Sequence, residues 1–597
     1  MRVLVLVTIA IIVMASCVSF PPESVYLSDA AHRGGTLEPL SLADPGIPGP
    51  LSPAMLVYGG GHNPRRPEYS LDVVDIRTTT VDVSAFVDTF EDHYWGYTAE
   101  AVPLNGRIFY PTEPGVYPVV VMVHGNHPPY RPSERGYDYL GRHLASHGMI
   151  FASIDQTFLN GLSGENDARG IVLLEHAKLI LGWNDDPSNP LFGQINTDQV
   201  AVAGHSRGGE AAVHAAVFNR FSAYPDDVTV PFEYGLPIRA VISVAPIEGQ
   251  YRPADRSLTV PPDVDYLVLH GSHDGDVSEH FGLRFVNRAP LPGAESSPDA
   301  IRAGIWIYGA NHGQFNTEWS PRQDPFATLR GNLLSADEQR RIAVTTITAL
   351  LLAAFDREPG YREFLAAPER GRGWLPQTRY VTQFSDNTAV TIADFDDDPF
   401  LETATLHGWA VEVEGFASAR ERRPPFSSRG RVGADGWAFV GRWNDRSDGR
   451  SDEDSAEDAS ILPSLRLIAA DSGDAVHADR LAFDITRLAP ARLSDEATRE
   501  PLDVSVRVRF SDGAESLYDV SEFALVSYGP RVTTVRGSMH HNIPQTVVLP
   551  IGGRFDTSGI SSVPGIVAIE FLFDAARAGS VAIDNVRYYR AEEGDRE

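Results

Sequence analysis

Residues 199–217 read QVAVAGHSRGGEAAVHAAV: a β-branched run breaks at Gly204-His205-Ser206-Arg207-Gly208-Gly209 and passes directly into a stretch of helical spacing. A serine on so short a strand-to-helix turn sits on strained backbone where neighbouring elements come close, and the small residues Gly204 and Gly208 permit it. The helix that follows aims its free N–H groups and positive dipole end at any oxyanion formed beside the serine. GxSxG alone occurs by chance; the preceding strand and following helix are the context its chemistry requires. Ser206 is therefore the candidate nucleophile, with the backbone N–H of Arg207 next to it.

Working outward, continuous apolar runs recur: VYPVVVMVHG (116–125), MIFASID (149–155), IRAVISVAP (238–246), VDYLVLHGSHD (264–274) and IRAGIWIYGANH (301–312). Runs of this kind, alternating with helical spacings such as YDYLGRHLASHG (137–148), read as a mostly parallel sheet buried on both faces and flanked by helices. Each run ends in polar or glycine residues, so the chemistry gathers at the carboxyl ends of the strands.

A serine hydroxyl is a poor nucleophile until a base takes its proton, so a histidine and a carboxylate are required later in the chain. His312 follows the run IRAGIWIY and Asp274 follows VDYLVL, giving the chain order Ser, Asp, His. Asp276 is the alternative acid, and His280 is the weaker alternative base because it follows no run of this type. The pair His124-Gly125 ends the first long run, which places the backbone N–H of Asn126 as the second oxyanion donor beside that of Arg207. His124 itself reads as a hydrogen-bonded core residue. HGNH (124–127) and HGSH (270–273) contain metal-ligating side chains, but at this spacing on a turn the rings need not converge, so no metal is expected there. Tyr130, Phe158, Trp183, Tyr251 and Trp306 are candidate pocket aromatics.

The rest of the chain bounds these readings. With 43% hydrophobic residues it can bury sizeable cores, and a formal charge of −30 disfavours nucleic acid and anionic lipid as partners. Lys178 is the only lysine, so nearly all positive charge is arginine. The opening MRVLVLVTIAIIVMASC has one arginine, an apolar run too short to span a bilayer, and then small residues before Cys17, the only cysteine. This resembles a bacterial lipobox, which implies export, lipidation of Cys17 and attachment to a membrane at the periplasm or cell surface. No internal disulfide can form.

The expected organisation is a signal peptide over 1–17, a Pro/Gly/Ser-rich linker over 18–55, an α/β unit over 56–356, a linker over 357–385 and an antiparallel β-sandwich over 386–592. The acidic run NDRSDGRSDEDSAEDAS (444–460) reads as a solvated loop.

Together HGN, GHSRGG, GSHDGDV and GANHGQF resemble the bacterial α/β-hydrolases related to chlorophyllases, dienelactone hydrolases and polyester hydrolases. The resemblance implies that fold and a serine hydrolase cleaving carboxylic esters through an acyl-enzyme, with Ser206, His312 and Asp274 as its triad and no required cofactor. A peptidase or amidase, or a carbohydrate-binding surface lipoprotein on an inert hydrolase scaffold, are the alternatives. The carboxyl-terminal ADFDDD (393–398) and GSVAIDNVRYY (579–589) are similar to galactose-binding-like jelly rolls of carbohydrate-binding modules. In that family such acidic residues, here Asp396 and Asp584, often hold a structural calcium; carbohydrate is then the implied partner, with a pure packing role as the other reading.

Overall fold

The computed structural model describes residues 38–590 except 62, 289–299, 320–332, 431, 444–461, 491–492, 494–500, 535–536, 552–563 and 574–577. The expected signal peptide with Cys17, the first part of the 18–55 linker and the acidic run 444–460 lie outside the described residues.

The apolar runs form the centre of one large mixed sheet. Its strands are β1 (Pro53–Gly59), β2 (Gly106–Pro111), β3 (Tyr117–Val123), β4 (Ile150–Ile154), β5 (Ile195–His205), β6 (Ile238–Val244), β7 (Asp265–Gly271), β8 (Ile301–Ile307) and β9 (Tyr380–Asp386). They lie in the order β9-β8-β7-β6-β5-β3-β4-β2-β1, with Ile76–Arg77 beyond β1. From β8 to β4 all neighbours are parallel, while β9, β2 and β1 join antiparallel. Every residue of β3 and β7 is buried, as strands covered on both faces must be.

Helices supply both covers. On one face lie α2 (Asn166–Gly182) and α3 (Arg207–Phe218), whose Leu173, Leu174, Val213 and Phe218 share a core with Val121 and Val202. On the other lie α1 (Asp138–Ser146) and α5 (Ala336–Ala354), where Leu140, Leu144, Ile347 and Leu351 pack with Val120, Ala203 and Leu267. A capping box starts α5: Ser335 Oγ accepts from the Glu338 N–H at 3.2 Å, and the Glu338 carboxylate accepts from the Ser335 N–H at 2.8 Å.

Two stretches read as linkers are part of this unit. Within 18–55, Leu40 and Leu42 pack on the α5 core, Asp44 pairs with Arg341, and β1 begins at Pro53. Within 357–385 lie helix α6 (Tyr361–Ala366), which packs on the same core through Phe364 and Leu365, and most of β9, which pairs with β8 along its length. The Pro- and Gly-containing composition of GRGWLPQT hides this, although Trp374 packs on Tyr361 and Phe364 and the strand that follows finds its partner in β8.

Beyond β9 the chain builds two antiparallel sheets. The first contains β10 (Ala389–Ala393), β12 (Ser418–Arg422), β13 (Ala438–Trp443), β15 (Arg480–Arg487), β18 (Gln545–Pro550) and β20 (Gly579–Tyr589); the second contains β11 (Trp409–Glu414), β14 (Ser464–Ala469), β16 (Val504–Phe510), β17 (Glu515–Asp519) and β19 (Ile566–Phe573). Phe439, Trp443, Leu465, Leu467, Phe483, Phe571 and Ile583 interleave between them, the arrangement of a β-sandwich.

The sandwich is seated on the α/β unit. The Phe384 N–H of β9 donates to Thr546 Oγ1 (2.9 Å), its carbonyl accepts from Arg587 (2.5 Å), and Trp306 Nε1–H donates to His541 Nδ1 (3.2 Å). On helix α4 (Phe281–Arg288), Arg284 and Arg288 each pair with both Glu248 and Asp435, crossing the seam as a four-member charge cluster.

Candidate active site

Ser206 occupies the turn between β5 and α3 with φ 58° and ψ −122°, a positive-φ conformation that is costly for a side chain bearing a Cβ. Its surroundings hold it there. The Ser206 N–H donates to the Val244 carbonyl (2.9 Å), and its own carbonyl accepts from the Gly209 N–H (2.9 Å). A Cβ on Gly204 would stand 1.9 Å from the Gly208 carbonyl oxygen, and one on Gly208 would stand 2.5 Å from that of Val123. The two glycines thus serve backbone contact across the elbow, as their positions in the sequence suggest.

Gly125 closes the opposite wall. A Cβ there would lie 2.5 Å from Ser206 Cβ and 2.8 Å from the His205 carbonyl oxygen, both attached to a backbone that cannot swing away. Gly125→Ala is therefore expected to displace the serine and lower kcat/KM for an ester by about 10²-fold or more. Kinetics on a variant with unchanged far-UV circular dichroism would check this; full activity would mean the elbow is not fixed from this side.

Asp274 and His312 meet at the same rim. His312 Nδ1 lies 2.7 Å from Asp274 Oδ2, with both side chains almost wholly buried. The other carboxylate oxygen, Asp274 Oδ1, accepts the N–H groups of Asp276 (3.0 Å) and Val277 (2.6 Å), so the acid is fixed from both sides. Asp276 lies 3.7 Å from His312 Nε2 with a side chain 51% exposed, too long for a hydrogen bond. The ring of His205, the residue before the serine, lies 4.9 Å from that of His312.

Asn126 and Arg207 commit their side chains to the loop that follows β4. Asn126 Oδ1 accepts the Gly161 N–H (2.8 Å); Arg207 donates to the Leu162 carbonyl (2.6 Å) and to Glu165 (2.7 Å). What they present to the site is backbone, and Arg207 opens α3, where N–H groups have no intrahelical acceptor.

The remaining histidines take structural places. His124 Nδ1–H donates to the Gly125 carbonyl (2.8 Å) while Nε2 accepts from the Gln156 N–H (3.0 Å), and burial with nearby Arg169 pushes its pKa down to about 3. His270 accepts from the Gly282 N–H, and His273 bonds to Ser272 Oγ. His280 lies not at the rim but at the seam with the sandwich, its ring 4.4 Å from that of His541. Among the described residues no group of three or more His, Cys, Asp or Glu is arranged to hold a metal. Asp396 and Asp584 lie, with Asp394 and Asp484, near enough together for the other three charges to reinforce the raised pKa of Asp584. Asp396 Oδ1 accepts the Trp437 N–H, and burial, reinforced by Asp484, holds the Asp584 carboxyl well above the usual carboxylate range.

Of the five candidate aromatics, Phe158, Trp183, Tyr251 and Trp306 are buried, each packed against other rings or histidines, and Tyr130 is 70% exposed. The aromatic at the site is one the sequence reading missed. Trp319 stacks on His312 (6.0 Å between centroids, 13° between planes), lies 4.5 Å from His205 and 5.0 Å from His127, and anchors through Nε1–H to Ser133 Oγ (2.9 Å). Its only signal was position: it stands seven residues after His312 in the loop leaving β8.

A mixed sheet covered on both faces, a serine on a strained strand-to-helix turn and an Asp–His pair after two later strands define an α/β-hydrolase-like unit. Comparison with known proteins agrees: the chlorophyllase family pattern matches residues 83–266. Cutinase est1 of Thermobifida alba is 26% identical over 202 residues, 31% of this chain and 60% of that protein. Cutinase est2 of the same organism is 27% identical over 206 residues, 31% of this chain and 59% of that protein. Chlorophyllase type 0 of Chenopodium album is 27% identical over 182 residues, 26% of this chain and 46% of that protein. The chain thus spans 60% or less of the length of these curated relatives.

Proposed function

We propose that the chain is an exported serine hydrolase of carboxylic esters, in which Ser206 is the nucleophile, His312 the base and Asp274 the group that orients it. The observation that carries this reading is the 2.7 Å Asp274–His312 hydrogen bond at the carboxyl-terminal rim of the sheet that also carries the strained Ser206 turn. With Nδ1–H donated to Asp274, the neutral imidazole keeps its Nε2 lone pair to take the serine proton. Ser206 Oγ then adds to the ester carbonyl, and the resulting oxyanion is received by the N–H groups of Asn126 and Arg207. Collapse expels the alcohol, which takes the proton from His312, and a water repeats the sequence to release the carboxylic acid and free serine.

Relatives named cutinase and chlorophyllase favour an ester over an amide. Attachment to a membrane through Cys17 belongs to the same proposal and rests on the lipobox-like sequence; among the described residues no helix is long and apolar enough to cross a membrane.

A fluorophosphonate probe tests the nucleophile. Wild type should label, Ser206→Ala should not, and p-nitrophenyl esters should be turned over far faster than aminoacyl anilides. A folded wild type that resists the probe would rule out the serine mechanism, and preference for the anilides would reassign the enzyme as an amidase or peptidase.

A further inference from the structure

We infer that Glu165 is a positioning residue for the oxyanion hole. It anchors the loop over 160–165, onto which Asn126 and Arg207 lock their side chains, and so fixes the backbone N–H groups that those two residues present to the site. This role rests on the serine-hydrolase reading proposed above and adds to it a residue that lies outside the triad.

One buried arginine ties down both ends of the loop. Arg169, in the first turn of α2 and fully buried, donates through Nε to Glu165 (3.1 Å) and through a terminal nitrogen to Asn160 Oδ1 (2.8 Å). Between those ends Leu162 packs on the core, but Gly161 and Gly164 take positive φ (88° and 76°), and a Cβ on Gly161 would meet nothing within 4 Å. Polar contacts must therefore hold what packing does not. The two oxyanion residues make them: Asn126 Oδ1 accepts the Gly161 N–H, while Arg207 donates to the Leu162 carbonyl and to the same Glu165 oxygen that Arg169 holds. Glu165 is 2% exposed, so its attraction for the two guanidinium groups is weakly screened. Asn166 Nδ2 donates to the Arg207 carbonyl (3.1 Å) and to Glu210 (2.6 Å), which pins Arg207 at its other end.

A backbone N–H points where the rest of its residue is held. Oxyanion donors act only from ~2.7–3.1 Å, and losing one costs about 10²- to 10³-fold in kcat. Separate contacts fix the nucleophile and the base, Ser206 through the Val244 carbonyl and His312 through Asp274, so loss of the clasp leaves both in place. The damage then falls on the transition state and not on substrate binding, which lowers kcat at unchanged KM.

Arg207→Met is the cleanest variant, because Glu165 keeps Arg169 as its partner and no buried charge is orphaned. On p-nitrophenyl butyrate, with rates taken per site labelled to completion by the fluorophosphonate probe, its kcat should fall about tenfold or more at wild-type KM. Its affinity for an alkyl trifluoromethyl ketone, which forms a hemiketal oxyanion on the serine, should fall by the same factor. Glu165→Gln should behave likewise, and Glu165→Gln/Arg207→Met should be no worse than the weaker of the two single variants, since both act through one contact. Arg207→Lys, which keeps a donor and the charge, should recover part of the loss. A merely structural role would lower the melting temperature with kcat per labelled site unchanged; that result, or losses that multiply in the double variant, would overturn the inference. Wild type that labels while the variants keep full kcat refutes the clasp alone, whereas wild type that never labels removes the serine mechanism and the clasp with it.

Discussion

Asp274→Asn is expected to lower kcat by about 10⁴-fold, the scale found when a triad carboxylate becomes an amide and the histidine takes the wrong tautomer. The geometry dictates which way the amide must face. Asp274 Oδ1 accepts two backbone N–H groups, from Asp276 and Val277. An asparagine must keep its carbonyl oxygen on that pair, since its NH₂ would meet two donors head-on. The NH₂ is then forced onto His312 Nδ1, where Asp274 Oδ2 now accepts. Nδ1 becomes an acceptor, the proton moves to Nε2, and the imidazole can no longer take the serine proton. Because the substitution is isosteric, KM and melting temperature should change little. Steady-state kinetics on the ester identified by the probe panel measures this. A loss below about tenfold would remove Asp274 from the mechanism, whereas Asp276→Asn, at an exposed side chain beyond hydrogen-bonding distance of the ring, should change kcat only slightly.

Stability is expected to collapse on mild acidification, by on the order of 5 kcal/mol between pH 7 and pH 5. Burial pushes His124, His176 and His280 down to about 3 and His143 to about 4, and holds His205, His270 and His541 well below the ordinary imidazole range. As pH falls through about 6.5, the unfolded chain binds protons that the folded chain refuses until near pH 3 to 4. The unfolded state therefore gains, at up to ~1.4 kcal/mol per pH unit for each histidine. Buried carboxyls oppose this, among them Glu248 and Asp396, which burial also raises. Burial raises Glu134 to about 7 despite Arg66, raises Asp167 to about 6, and raises Asp584. They are charged in the unfolded chain and protonated in the folded one, so they favour folding as pH drops below 7. These seven histidines, several held down to about 3, outweigh the carboxyls and leave a net loss on the scale of a domain's whole stability of ~5–15 kcal/mol. Three of the seven, His270, His280 and His541, cluster at the seam, so the sandwich should loosen from the α/β unit early in the transition. Urea melts at pH 7, 6 and 5 would measure the slope; a midpoint unchanged across that range would mean these rings are not buried as neutral groups.

Much of the architecture and of the candidate site is legible locally. Continuous apolar runs announce doubly covered strands, because burial on both faces removes the need for alternation, and β3 and β7 are wholly buried. The glycines around Ser206 announce a turn whose backbone must approach its neighbours, and the Ser, Asp, His order follows from three strand ends read in sequence. These features are written within about ten residues each, so periodicity and turn chemistry suffice to determine them. Trp319 over the histidine, β9 completing the sheet from a stretch composed like a linker, and the histidine cluster where the sandwich docks carry no such local mark. Each depends on a partner that only chain folding brings near: β9 on β8, some 75 residues earlier, and His541 on Trp306, 235 residues earlier. Only tertiary structure decided them, because burial at these positions is a property of the neighbours and not of the segment.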